Sequence, residues 1–339
     1  MQRRKDMNPG LTRRVVLCGL AATLLPTVGF AQDAGGTVVV YTPSPAQAVE
    51  AATDSLRQLE PNISLSTITG GSGQLLRRLE AEAAAPQADL FWSSSENTLG
   101  GFREMFEPYR STQLDAIPEA LHHPEDLWTA TFSHVVVAMV NTDQLGDIPA
   151  PTKWEDFLDP AWKGKLAIAD PNNSSTAYTI LWGIDQLMGP EALEKLAQNV
   201  TVNSSASSIL RGVAQGEFVA GLTFEANAYA YVAGGQSEIS LVYPEEGTFA
   251  STEFMALVKG APNPELAQRT MDAILSKETQ VALLESTFRR PSRSDIVVGD
   301  HADLPAIEDI KVFPTDETEA AAGRDAFLAR WQGYLQSAN

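Results

Sequence analysis

The 339-residue chain has one cysteine, Cys18, and it lies inside the N-terminal apolar run. Everything after Ala31 is therefore without disulfides, thiolate metal ligands or a cysteine nucleophile, and its core must hold without cross-links. Long apolar runs are equally scarce. Residues 15–28 form a run of about 14, preceded by Arg3, Arg4, Lys5, Arg13 and Arg14 and closed by Gly29-Phe30-Ala31. That is too short to cross a bilayer, which takes roughly 20 apolar residues. A basic flank, a short apolar run and a small-residue end describe a signal peptide over residues 1–31. Thr12-Arg13-Arg14-Val15-Val16-Leu17 has the twin-arginine form, which predicts export of a folded chain to the periplasm, an ordinary secretory signal being the alternative. Leu17 is too bulky for a lipoprotein cleavage box, so no lipid anchor is expected at Cys18.

Positive charge is the third scarcity. The chain has 24 Lys+Arg against 43 Asp+Glu; the leader holds five and one of these, leaving 19 and 42 and a net charge of −23. Nucleic acid is thereby excluded as a partner. Such a field also repels anions at long range, so an anionic ligand would have to be held by local dipoles and hydrogen bonds. About 308 residues follow Ala31 and 44% of the chain is apolar, enough for two domains with sizeable cores.

What is present is a recurring unit. Val38-Val39-Val40-Tyr41 reads as a strand, Thr42-Pro43-Ser44-Pro45 as a polar loop, and Val49, Ala52, Leu56 and Leu59 as one face of a helix. Residues 63–68 lead into Gly70-Gly71-Ser72-Gly73 and a helix with Leu75, Leu76 and Leu79, and residues 88–92 lead into Ser93-Ser94-Ser95. Three such units imply a parallel sheet wrapped by helices. An extended stretch over 128–141 follows, and Thr152 with Glu155 reads as a capping box opening a helix at 154–158. A second set then begins: residues 166–169 feed Asp170-Pro171-Asn172-Asn173-Ser174-Ser175-Thr176, residues 200–202 feed Asn203-Ser204-Ser205, and residues 218–224 feed Glu225. After residues 239–243 a second extended run covers 254–258, and the remainder reads as helical over 267–284 and 326–335. Two α/β sets joined by two extended segments predict two lobes on hinge strands, with ligand at the carboxyl ends of the strands.

In this order the residues resemble type II periplasmic binding proteins of ABC importers, in the cluster that handles ferric iron, phosphonates and hexose phosphates. The stretches that carry the resemblance are Gly70-Gly71-Ser72-Gly73 with Pro86-Gln87-Ala88-Asp89, Asp159-Pro160-Ala161-Trp162-Lys163-Gly164-Lys165 with Asp170-Pro171, residues 216–225, and Val242-Tyr243-Pro244-Glu245-Glu246-Gly247. It implies an α/β fold of two lobes, each a mostly parallel sheet wrapped by helices and joined by two hinge strands. Residues 32–135 with about 256–295 would form lobe 1, residues 136–255 lobe 2, and residues 296–339 a helical segment packing on both. It further implies a monomeric receptor without catalysis, cofactor or metal, which closes on a small solute and passes it to a permease in the inner membrane.

The candidate ligand residues are Thr42, Ser44, Gly71, Ser72, Gly73, Ser94, Ser95, Asn173, Ser174, Ser175, Thr176, Glu225 and Tyr243. Backbone N–H groups at residues 70–73 and at the serine-rich loops suit an anion at a helix start, simple capping being the structural alternative. No lysine or arginine stands in these loops, which points to neutral donors; Arg77 and Arg78 read as surface, while relatives place the segment of Arg290 and Arg293 near the cleft. Glu225 ends an apolar strand and needs a partner, either a ligand amine or hydroxyl or an internal group. Trp92, Phe224 and Tyr243 are candidate pocket walls. The expected ligand is a phosphonate or sugar phosphate.

Ferric iron is the alternative, but relatives that bind it use adjacent tyrosines, whereas Tyr229 and Tyr231 are two apart on a helix, and the first strand loop lacks histidine. A periplasmic serine hydrolase is the alternative of another class; Gly71-Ser72-Gly73 is followed by Gln74 and completes no nucleophile elbow. Importer feeding and signalling to a sensor kinase are not distinguished by the residues. Replacing Arg13 and Arg14 by lysine is expected to hold precursor in the cytoplasm, read by fractionation and immunoblot; unimpaired export would assign the leader to the ordinary secretory route.

Overall fold

The computed structural model describes residues 35–338. The leader, with Cys18 and the twin arginines, lies outside the described residues.

Strand β1 (Gly36–Thr42) is flanked in parallel by β2 (Ile63–Thr69) and β3 (Leu90–Ser95). Helix α1 (Ala46–Leu59) connects the first pair, burying Ala48, Ala52 and Leu56 along one face, and α2 (Ser72–Ala81) follows β2, burying Leu75, Leu76 and Leu79. This is the apolar spacing that seats a helix on a sheet. After α3 (Glu96–Leu99) and the short β4 (Phe106–Glu107), the 13-residue β5 (Thr129–Asn141) runs from this part of the molecule into the next. There β6 (Leu166–Ala169), α4 (Ser175–Met188), α5 (Pro190–Asn199), β7 (Val200–Asn203), α6 (Ala206–Ala214), β8 (Ala220–Phe224), α7 (Glu225–Ala233) and β9 (Ile239–Val242) build the second set. The chain returns through β10 (Ala250–Val258), then α8 (Pro264–Leu275), α9 (Lys277–Thr287), β11 (Arg290–Pro291) and finally α10 (Glu317–Ala338).

The strand order is β2-β1-β3-β10-β5-β8-β6-β7. β5 is shared: residues 129–135 pair antiparallel with β10, and residues 136–141 pair antiparallel with β8 and β9. The apolar core changes at the same places. Phe132 and Phe254 belong to a first core with Val38, Val40, Phe91 and Leu283, whereas Val136 and Phe249 belong to a second with Ile168, Leu181 and Leu222. Two sheets, two cores and two crossing strands make a two-lobed α/β protein.

Three sequence expectations change in detail. Residues 155–158 form a single 3-10 turn, because Asp156, and not Thr152 with Glu155, accepts the N–H groups of Thr152 (2.8 Å) and Lys153 (2.9 Å). The helix expected over 267–284 is two helices, since Ser276 caps the second by accepting from Thr279 N at 3.3 Å. The last helix starts at Glu317, nine residues before the expected start.

That earlier start matters, because α10 ties the lobes together. Phe327 and Trp331 are buried in the second core, while Glu317 accepts from Asn97 N (3.0 Å) and Ser251 Oγ (3.1 Å) and Arg324 donates to Thr98 Oγ1 (3.2 Å) and to Pro171 O (2.9 Å). Burial, with Glu96 nearby, pushes the Glu317 carboxyl up to about 7 against these hydrogen bonds. A carboxyl raised in the folded state contributes stability that is complete below its ordinary value near 4.5 and lost as pH rises through about 7. Glu317→Gln keeps an acceptor for Asn97 N without the charge. It is expected to stabilise the protein at about pH 8 by as much as about 3 kcal/mol and to be near neutral at about pH 4.5, read by denaturant unfolding. An equal effect at both values would show that the carboxyl is already ionised without cost.

Candidate functional site

Because β2 and β3 lie on opposite sides of β1, the chain winding reverses around β1, and the carboxyl ends of the three strands form the crevice where open α/β sheets hold ligands. Thr42 ends β1, Gly71 and Ser72 follow β2, and residues 93–95 end β3. Thr42 Oγ1 accepts from Ser44 N at 3.0 Å. Ser44 Oγ accepts from Arg289 Nη1 at 3.2 Å, and the same nitrogen donates to Ser93 Oγ at 3.0 Å. Ser93 Oγ in turn donates to Glu253 Oε2. Ser94 Oγ is fully buried and has no hydrogen-bond partner among the described residues, whereas Ser95 Oγ donates to Asn97 Oδ1 at 2.8 Å.

Ser93 has φ +79°, the left-handed region that a residue with a Cβ enters only at a cost of about 1–3 kcal/mol. The register between β3 and β10 explains it, for Phe254 pairs with Ser94 and Met255 with Trp92, leaving Ser93 as the extra residue of a bulge. Glu253 braces that bulge. Its Oε2 lies 3.2 Å from His134 Nε2 and 3.4 Å from Arg289 Nη1. Burial alone would push this carboxyl up; His134 first, then Arg289 and Ser93, outweigh it and hold the carboxyl down at about 2.

The facing loop belongs to the second lobe. Asp170 Oδ1 accepts from Asn172 N (2.9 Å), Asp170 Oδ2 accepts from Asn173 Nδ2 (3.0 Å), and Ser174 Oγ caps α4 by accepting from Ala177 N (3.3 Å). The two loops touch. Ser175 N donates to Ser72 Oγ at 3.0 Å, and Arg77 donates to Asn172 O (3.2 Å) and Asn173 Oδ1 (2.8 Å). A Cβ placed on Gly71 would meet Asn173 O at 2.4 Å, and one on Gly73 would meet Asn172 O at 2.1 Å. Glycine at these positions is what allows the loops to close.

The family model described as bacterial extracellular solute-binding protein matches residues 85–319. The chain belongs to that family. A Haemophilus influenzae protein of uncharacterised role is 32% identical over 275 residues, covering 77% of this chain and 78% of its own length. A Salmonella typhi periplasmic protein named for binding 2-aminoethylphosphonate is 24% identical over 301 residues, covering 81% and 84%. Among solved structures, the periplasmic binding protein AfuA from Actinobacillus pleuropneumoniae with bound fructose-6-phosphate superposes with a TM-score of 0.82 at 25% identity, covering 89% of this chain and 99% of that one. The fold is that of type II periplasmic binding proteins, and the protein is a periplasmic solute-binding protein.

Within this solute-binding protein the expected residues divide into two groups. Thr42, Ser44, Gly71, Ser72 and Gly73 lie at the strand ends of the first lobe, facing Asn173, Ser174, Ser175 and Thr176 across the loop contact; the Asn173 side chain is engaged with Asp170 and Arg77. Glu225 and Tyr243 behave differently from a ligand acceptor and a pocket wall. The buried Glu225 carboxylate receives Arg290 through Nε (2.7 Å) and Nη2 (2.9 Å), and Tyr243 Oη donates to it at 2.6 Å. The partner that Glu225 needed is internal, so a ligand amine is not required to satisfy it. Arg290 also donates to Pro305 O, and Arg293 is engaged with Asp295, Gln113 and Leu275 O, so neither guanidinium is a free anion contact. Trp92 is buried in the first core, and Phe224 stacks on His134 at 4.5 Å. Arg77 is exposed, in line with its reading as surface, and from there it also bridges the loops of the two lobes. Sequence reasoning missed Arg289, which enters the strand-end region from some 200 residues away; the only signal was Arg289-Arg290 ahead of Pro291 in an otherwise acidic chain.

Gly73→Ala is expected to keep the loops apart while leaving both cores untouched. Since alanine suits a helix better than glycine by about 0.5–1 kcal/mol, the unfolding midpoint should not fall. Ligand affinity should drop about ten-fold or more, and the radius of gyration measured by small-angle scattering with ligand should stay that of the open form. Normal compaction on ligand addition would show that the contact of Gly73 with Asn172 is not needed for closure.

Proposed function

We propose that this protein captures a small solute bearing a phosphate or phosphonate head and delivers it, as a monomer, to the permease of an ABC importer. In this reading residues 35–135 and about 250–295 act as one lobe, residues 136–249 as the other, and α10 spans both. The observation that carries the proposal is the polarity of the strand-end hydroxyls. Thr42, Ser44 and Ser72 each accept a hydrogen bond from a protein donor, and none of their protons is used by a protein acceptor among the described residues. A hydroxyl so engaged keeps its proton free to donate to a ligand. Helix α2 adds to this, because its N-terminus at Gly71 has no side-chain cap and its first N–H groups are directed toward the same end. A surface of donors is complementary to phosphate-like oxygen and not to a cation. The names of the Salmonella typhi and Actinobacillus pleuropneumoniae relatives, one a phosphonate binder and the other holding a sugar phosphate, agree with that chemistry.

Ferric iron finds less support. Tyr229 packs edge-on against Phe288 at 4.9 Å and Tyr231 packs against the second core, so the two phenols do not converge. The reading as a receptor, not an enzyme, rests on the family.

A thermal-shift screen of 2-aminoethylphosphonate, fructose 6-phosphate, inorganic phosphate, polyols and ferric citrate tests the proposal. A ligand at 100 times its Kd stabilises the folded state by about 2.7 kcal/mol, a rise of several degrees for a chain of this size. Phosphorylated or phosphonate compounds are expected to give that rise. A shift with ferric citrate or polyols alone would overturn the assignment.

A further inference from the structure

We propose that Arg289 is the positioning residue that tunes this site for anionic oxygen, acting through the hydroxyl of Ser44; this rests on the reading of the strand ends as a phosphate or phosphonate subsite. Arg289 lies between Phe288, whose φ of +59° ends α9, and β11, which pairs with Phe132 and Ser133 on the crossing strand. Arg289, just before β11, and Arg290, its first residue, send their guanidiniums to different lobes. Arg290 goes to Glu225 of the second lobe, and Arg289 goes to Ser44 and Ser93 of the first.

A serine hydroxyl has one proton and two lone pairs, so a partner that only donates takes up a lone pair and leaves the proton unspent. Arginine donates only. Its contact at 3.2 Å therefore occupies one lone pair of Ser44 Oγ from within and biases the hydroxyl toward donating to the ligand. Ser93 serves another purpose: it accepts from Arg289 and gives its proton to Glu253, so the three side chains close a triangle that fixes the guanidinium under the β1 loop. The Phe132 ring supports the guanidinium from one side at 5.1 Å. Buried ion pairs such as Arg289–Glu253 stabilise little compared with apolar residues of similar volume, because desolvation offsets the attraction. Orientation of Ser44, and not fold stability, is the function this pair performs best. Burial lowers the Arg289 pKa from its usual range, and the Glu253 carboxylate beside it opposes that fall.

The test is a double-mutant cycle on the mature protein, measured by calorimetry with fructose 6-phosphate, 2-aminoethylphosphonate and, for comparison, fructose. Ser44→Ala alone is expected to weaken the phosphorylated and phosphonate probes about ten-fold. In a background carrying Arg289→Met with Glu253→Gln, which removes the buried pair in a balanced way, the same Ser44→Ala change should alter affinity less than about two-fold. That background should also cut the preference for fructose 6-phosphate over fructose by about ten-fold, a ratio that loss of packing alone would not move. If the balanced double variant does not fold, Arg289→Lys takes its place in the same cycle, since the lysine nitrogen ends one bond short of the Nη1 position that serves both hydroxyls. Additive losses, or an unchanged preference ratio, would overturn the role of Arg289 while leaving the phosphate reading intact. Wild-type protein that binds neither phosphorylated nor phosphonate probe would overturn the phosphate reading and this role with it.

Discussion

Glu253 places a carboxylate on β10 where that strand leaves one core for the other, and the arrangement of the crossing depends on how the charge is satisfied. His134 on the other crossing strand, Arg289 from beyond α9 and Ser93 at the end of β3 all converge on the same Oε2. A single buried acceptor thus ties together the two hinge strands, the bulge and the strand-end loop of the first lobe. Removing Glu253 itself would leave the Arg289 guanidinium buried without its counter-charge, which typically costs about 3–5 kcal/mol. The left-handed backbone of Ser93 is affordable only because its hydroxyl is held from two sides.

The electrostatics of the molecule work at two ranges that oppose each other. A net charge of −23 on the mature chain repels an anionic solute beyond a few ångströms. Close to the strand ends the proposed site would reverse the balance, since the hydroxyl protons and the N–H groups at the start of α2 offer donors over a short distance, with Arg289 behind Ser44. Such a site is selective in the sense that only a ligand able to satisfy several donors at once recovers the cost of entering the negative field.

Closure has its own set of contacts, spread over three places. At the strand ends Ser175 N meets Ser72 Oγ and Arg77 meets the loop of Asn172 and Asn173. Near the crossing strands Arg290 of β11 meets Glu225 of α7, and on the far side Asn97 Nδ2 donates to Thr179 Oγ1 at 2.9 Å beneath α10. Helix α10 is anchored in the second core by Phe327 and Trp331 and reaches the first lobe through Glu317, Arg324 and the close approach of Ala321 to Gly100, where an added Cβ would lie 2.8 Å away. Two crossing strands and one helix therefore connect the lobes, and the helix makes polar contacts with both.

Much of this was readable in the linear chain because it depends on local rules. Strand-loop-helix units follow from runs such as Val38-Val39-Val40 and from the spacing of Leu75, Leu76 and Leu79, and parallel units with helical crossovers force a wrapped sheet. The glycines and serines after each strand marked the loops at the carboxyl ends of the strands for the same reason. What the sequence by itself determined was therefore the two-set α/β architecture, the strand-end loops and the sign of the charge. The partners of buried charges were decided only in three dimensions. Glu225 looked like an acceptor awaiting a ligand because Arg290, 65 residues later, is invisible to any local pattern. Arg289 looked like part of a basic pair near a proline, and only β11 pairing with β5 carries it to Ser44. Periodicity reports which face of an element is buried, but a charge in a low-dielectric interior must find an opposite charge wherever the fold brings one.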